Sequence, residues 1–222
     1  MNYSDNKIFL KTFYDQSGIS SKFNKDSIYL EKAFNDIYKI WIENLNQIKV
    51  VNYLMIAEAP LWGHLKKYIY NPNTNNSQFF YRNDLGDILK KHISDKKEFI
   101  KVCNEIGLLV VDISPFPLNP NDTAINYRTL TTTQYRQLVS LTIPTFFEKK
   151  IKAVAKKKSK NIKSFFRYAR VKNNFEDLIS KVLIDNKIIK TQNEIGDISQ
   201  NGGGIDKTKF QQIIKANKTI IS

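Results

Sequence analysis

Two short stretches constrain the fold more than anything else in the chain. "KVVNYLMIA" (49–57) and "LLVVDISPFP" (108–117) are nearly unbroken apolar runs, too short for ordinary helices. Strands that are apolar on both faces need cover on both faces, which is the habit of parallel sheets joined by helical crossovers. The sequence between and around them supplies the helices. Ser27–Ile48 carries Ile28, Leu30, Ala33, Phe34, Ile37, Ile40, Trp41 and Leu45 at helical spacing, and Ser27 is the expected N-cap. Helices are expected around 84–92 and 95–106, with Gly107 as the stop after the second.

The second half repeats the alternation. Residues 131–158 read as mostly helical with a break near Pro144, and "KNIKSFFRYARV" reads as a third strand ending near Arg167 and Tyr168. A helix at 173–186, a fourth strand within "KIIKTQNEIGDIS", a glycine turn and an amphipathic last helix follow. The expected fold class is therefore α/β: a three-layer α/β/α domain with a four-stranded, mainly parallel sheet. One domain is expected over residues 1–222, with an N-terminal helical segment at about 1–48.

In such sheets ligands bind beyond the carboxyl ends of the strands. Each expected strand here ends in polar chemistry: Glu58 after the first, Asp112 and Ser114 after the second, Arg167 and Tyr168 after the third, Ser199 to Gly204 after the fourth. Four such tips on one edge would form one site.

Composition narrows the partners. There are 35 Lys and Arg against 21 Asp and Glu, a net charge of +14. A bias towards Lys, Asn and Ile raises lysine content by itself, but it should raise acids as well, so the imbalance points to a polyanion, DNA or another nucleic acid. No apolar run approaches the roughly 20 residues of a membrane helix, and the N-terminus lacks the apolar core of a signal peptide, so no membrane partner is expected. Cys103 is the single cysteine and His64 and His92 are the only histidines. No disulfide, metal site or other cofactor is expected. A cytoplasmic monomer is the plain reading.

A strand ending in "EAP", a second ending in a polar residue followed by "SPFPLN", and a late strand followed by a small-residue and glycine turn resemble the uracil-DNA glycosylase superfamily. The first motif is most similar to the branch that reads "GEAPG", with Ala57 and Leu61 here in place of both glycines. The likeness covers motif order along most of residues 50–217. It implies a uracil-DNA-glycosylase-like sheet and cleavage of an N-glycosidic bond, with Glu58 orienting or activating water and a Phe downstream stacking on the base. The chain departs from the pattern in three places. That branch holds an iron–sulfur cluster on four cysteines, which one cysteine cannot supply. The late motif usually contains a histidine, and "DISQNGGG" has none. The second strand usually ends in Asn, which reads uracil, and here Asp112 stands there. A shared scaffold with a different base is what these departures imply.

The residues carry the same chemistry when read singly. A carboxylate at Glu58 would stabilise positive charge developing on the sugar, or take a proton from water; a Glu at a strand end is otherwise paired with a cation. Ionised Asp112 only accepts hydrogen bonds, which suits a base edge that donates, as in cytosine or guanine. It could instead cap the turn "SPFP". Phe79, Phe80 and Tyr81, with Tyr68, Tyr70 and Trp62 in the same loop, are candidates for stacking on a flipped base or for the core. Phe79, Phe80, Ser114 and Tyr68 form the expected base-binding set. Ser199, Gln200, Gly202 and Gly203, with Lys207, Lys209 and Arg167, are expected to clamp a nucleic-acid backbone. The run 149–163 adds Lys149, Lys150, Lys152, Lys156, Lys157, Lys158, Lys160 and Lys163 as a steering surface or a solvated helix face. Three functions stay in view: a DNA-base glycosylase-like hydrolase, a non-catalytic nucleic-acid-binding module, and a nucleoside or nucleotide hydrolase.

Overall fold

The computed structural model describes residues 1–74, 81–119, 121–200 and 203–215. Four strands form one all-parallel sheet in the order β2-β1-β3-β4. They are β1 (Val51–Ala57), β2 (Leu108–Asp112), β3 (Lys158–Phe166) and β4 (Gly196–Asp197). Two helices precede β1, namely α1 (Tyr3–Gln16) and α2 (Phe23–Gln47). The crossovers carry α3 (Arg82–Leu89) and α4 (Lys96–Ile106), then α5 (Thr132–Thr142) and α6 (Phe147–Ala155), then α7 (Ala169–Asp185). The chain then runs through β4 into α8 (Lys207–Lys215). The fold is thus α/β with helices on both faces of a parallel sheet, as the two apolar runs require. No helix among the described residues is long and apolar enough to cross a membrane.

Strand periodicity sorts the side chains. Tyr53, Met55 and Ala57 pair across β1 and β2 with Leu108, Val110 and Asp112, and Met55 pairs with Phe165 on β3. Successive side chains alternate, so these residues share one face. That face is covered by α3, α4 and α8. Phe210 of α8 meets Phe165 and Tyr81, Tyr81 meets Phe99 of α4, and the Tyr53 hydroxyl donates to the Ile214 carbonyl. The other face packs on α6 and α7, with α5 against α7 and α1 outside against α2 and α5. Edge strand β2 does not present bare backbone. Trp41 Nε1 donates to the Val110 carbonyl at 3.1 Å, and the Tyr70 hydroxyl accepts from the Val110 amide.

Local chemistry explains most boundaries. Asp95 caps α4 by accepting from the Glu98 amide. Gly107 ends the same helix at φ +73°, where a Cβ would lie 2.2 Å from the Val50 carbonyl, so a side chain is excluded. Thr131 and Gln134 form a capping box at α5. The break expected near Pro144 separates α5 from α6.

Three expectations need correction. Ser27 does not cap a helix: α2 begins at Phe23, and Ser27 is a buried interior residue bonded to the Tyr3 hydroxyl at 2.9 Å. Strand β3 begins at Lys158, two residues before the expected start at Lys160. Helix α7 begins at Ala169, four residues before the expected start, so Arg170 lies in its first turn.

Candidate functional site at the strand tips

The carboxyl ends of β1, β2 and β3 open onto one cavity of about 250 Å3. Its floor follows from the strand register. Met55, Ala57, Val110 and Asp112 come from the face just described, and Arg167, two residues past Phe165, keeps the same side. Glu58 is the next residue after Ala57, whose partner across the sheet is Asp112, so the two carboxylates sit on neighbouring strand tips and both line the cavity. Adjacent strands are about 4.8 Å apart, which keeps both acids within reach of one ring system.

Glu58 is held from three sides. Its carbonyl accepts from the Ser114 amide at 3.0 Å and the Tyr135 hydroxyl at 3.2 Å, and its Oε1 lies 3.3 Å from Arg170 Nε. Burial pushes the carboxyl above its usual range, and the Arg170 guanidinium opposes that shift. Arg170 itself sits over the rings of Tyr127 and Tyr135, 5.6 and 5.5 Å from their centroids.

Asp112 is fully enclosed, and burial raises its carboxyl to about 6, with Lys150 and Tyr68 opposing the shift. The Tyr68 hydroxyl faces the Asp112 carboxyl, and the Tyr81 hydroxyl has no hydrogen-bond partner among the described residues. Asp112 does not cap the turn after β2. Ser114 does that work, because its hydroxyl accepts from the Phe116 amide and donates to the Phe116 carbonyl. Ser114 is therefore not a base-binding residue: it is fully buried, its hydroxyl is spent on the turn, and it does not line the cavity.

The loop after Glu58 closes the cavity. Leu61, Tyr68 and Ile69 line it, and Tyr68 and Tyr70 meet edge to face at 5.7 Å. The ammonium of Lys96, buried and lowered to about 8 by desolvation, donates to the Tyr68 carbonyl and to Thr74 Oγ1. This pins the aromatic segment beneath the strand tips. Tyr81, Tyr127 and Tyr168 complete the wall. Trp62 is buried outside the cavity, with Lys66 over its ring. Phe79, Phe80 and Gly202 lie outside the described residues.

The expected backbone clamp is built differently from its sequence reading. Arg167 is 4% exposed, and its two terminal nitrogens donate to the carbonyls of Gly203 and Gly204, so it ties the glycine turn to β3 rather than facing a phosphate. The Gln200 amide donates to the Gly204 carbonyl and Ser199 forms an antiparallel bridge with Ile205, which holds residues 199–200 against 204–205. The Ser199 amide and hydroxyl both bond Asp197. The start of α8 is satisfied from within, by Asp206 accepting from the Lys209 amide. Exposed Lys207 pairs with half-buried Asp84 and exposed Asp87, and exposed Lys209 pairs with half-buried Asp206.

The lysine run divides as well. Lys156, Lys157 and Lys158 lie where β3 begins, at the edge of the sheet opposite the cavity. Lys157 caps α2, donating to the carbonyls of Leu45, Asn46 and Ile48. Lys150 cannot steer anything from solution. It is 1% exposed, its amine sits 4.6 Å from the Trp41 ring and 4.4 Å from Phe146, and desolvation lowers it to about 8.

Sequence reasoning missed Tyr127 and Arg170. Tyr127 comes from an irregular stretch with no periodicity to place it. Arg170 falls just past the expected end of the third strand near Arg167 and Tyr168, and that position was the usable signal. Among the described residues, no group of three His, Cys, Asp or Glu side chains is placed to hold a metal ion. No family model, curated protein or solved structure matches the chain.

Proposed function

We propose that this protein hydrolyses an N-glycosidic bond, taking an unusual or modified base of DNA into the strand-tip cavity. One observation carries the reading: Glu58 and Asp112 line a single small, largely apolar cavity walled by tyrosines. At about 250 Å3 it falls just below the roughly 300–1,000 Å3 of clefts for drug-sized ligands, which suits one ring system. Asp112 and Tyr68 would read the base edge, the ionised carboxylate accepting from a donor and the hydroxyl donating to an acceptor. The C1′–N bond breaks with its electron pair leaving on the base, and Glu58 stabilises the cationic sugar. Water then adds at C1′ and its proton passes to Glu58. The excess of basic residues favours a polymeric substrate over a nucleoside. A cytoplasmic monomer fits this role.

One feature favours a second reading. Arg170 already neutralises Glu58, as a non-catalytic nucleic-acid-binding module would tolerate. A panel of oligonucleotides bearing modified bases, treated with the protein and then with hot alkali, separates the two. Strand breaks at one base type support hydrolysis. Binding to the panel without breaks at any base supports the binding module.

A further inference from the structure

A second cavity, of about 750 Å3, lies at the opposite edge of the sheet, between the end of α2 and α4 and over the start of β1. Ile40 and Ile100 give it apolar walls. Asn44 of α2 is part of the same lining and only 4% exposed, yet neither its amide oxygen nor its amide nitrogen has a hydrogen-bond partner among the described residues. Asn104 of α4 also lines the cavity. Its Nδ2 donates to Gln47, while its Oδ1 is unpartnered. A buried, unpaired amide is costly, and a leucine would fill the same helix position without that cost. Lys49 and Lys97 stand exposed at the rim, and neither forms an ion pair among the described residues.

An amide with a free acceptor beside a free donor is the complement of a planar heterocycle edge with a donor beside an acceptor. Apolar walls suit the faces of such a ring, and rim lysines suit an anionic group attached to it. We propose that this cavity binds a nucleotide, with its base edge on Asn44, its ring between Ile40 and Ile100, and its phosphate at Lys49 and Lys97. A free mononucleotide and the phosphorylated end of a strand share this chemistry. The site is separate from the strand-tip cavity and does not depend on the hydrolase reading.

The test is titration of isotope-labelled protein with each of the common nucleoside 5′-monophosphates and with a 5′-phosphorylated trinucleotide, followed by NMR. At least one ligand should shift the side-chain amide signals of Asn44 and Asn104 at up to millimolar concentration. Binding of the trinucleotide alone would identify a strand end as the source. Asn44→Leu should weaken binding by at least about tenfold while raising the melting temperature. Ile100→Trp, which fills the cavity and leaves Asn44 in place, should abolish binding if Asn44→Leu does not fold. Lys49→Ala with Lys97→Ala should weaken the monophosphate but not the matching nucleoside. Glu58→Gln should bind as the wild type does. Absence of any shift at millimolar ligand, or unchanged affinity in both Asn44→Leu and Ile100→Trp, overturns the proposal.

Discussion

Asp112 and Lys150 are opposite charges buried on neighbouring elements, and the Lys150 amine has no hydrogen-bond partner among the described residues. Their titration sets the pH response. Asp112 keeps its proton up to about 6 in the folded protein and only to 3.8 when unfolded, so stability falls as pH rises through that window. The difference corresponds to roughly 3 kcal/mol. Lys150 behaves in the opposite sense. Its folded value of about 8 lies below the 10.5 of the unfolded chain, so stability recovers as pH rises from one to the other. Lys150→Met should shrink the alkaline recovery to the share of Lys96, whose folded value is also about 8. It should also extend the acid-side loss to higher pH, because the Lys150 ammonium no longer holds the Asp112 value down. Thermal melts across pH for the wild type and this variant check both. An alkaline limb undiminished in Lys150→Met would show that Lys150 takes no part in it.

At the scale of elements, lysines close together in sequence differ in what they hold. Lys157 satisfies three carbonyls at the end of α2, so Lys157→Ala should destabilise by about 1–3 kcal/mol. Lys156→Ala, at an exposed position, should stay within about 0.5 kcal/mol of the wild type. Urea denaturation compares them. The same contrast shows what sequence makes legible. Apolar runs gave away β1 and β2, because only a covered parallel sheet accommodates them. Gly107 marked its helix end, because no other residue fits beside the Val50 carbonyl. The start of α2 stayed hidden, because no side chain caps it and a 3-10 turn at Ser20–Lys22 leads into it. Roles set by tertiary contact were hidden too. Ser114 is tied into a turn, Arg167 braces the glycine turn and Lys150 is buried on Trp41. A residue type and a position near a strand tip were enough to place Glu58, Asp112 and Tyr68 on the cavity, but not to say which neighbours are free to meet a ligand.

At the scale of the whole molecule, the net charge of +14 predicts DNA binding at low salt that weakens steeply as salt rises, since counterion release drives it. The ion pairs of Lys207 and Lys209 imply a small share for these two. Lys207→Ala with Lys209→Ala should therefore reduce the salt slope by well under about two ions, measured by fluorescence anisotropy. A full loss of that slope would place the main contact at α8 instead. The central claim concerns the opposite side of the ion balance, the two acids on neighbouring strand tips. It is tested most directly by the rate of base release from the best oligonucleotide substrate by wild type, Glu58→Gln and Asp112→Asn side by side. Glu58→Gln should keep fold and DNA affinity while losing about 10²–10⁴ in rate. Asp112→Asn should change which base is released and remove the rate dependence near pH 6. Wild-type rates in Glu58→Gln, or no base released by the wild type from any substrate, would contradict the account.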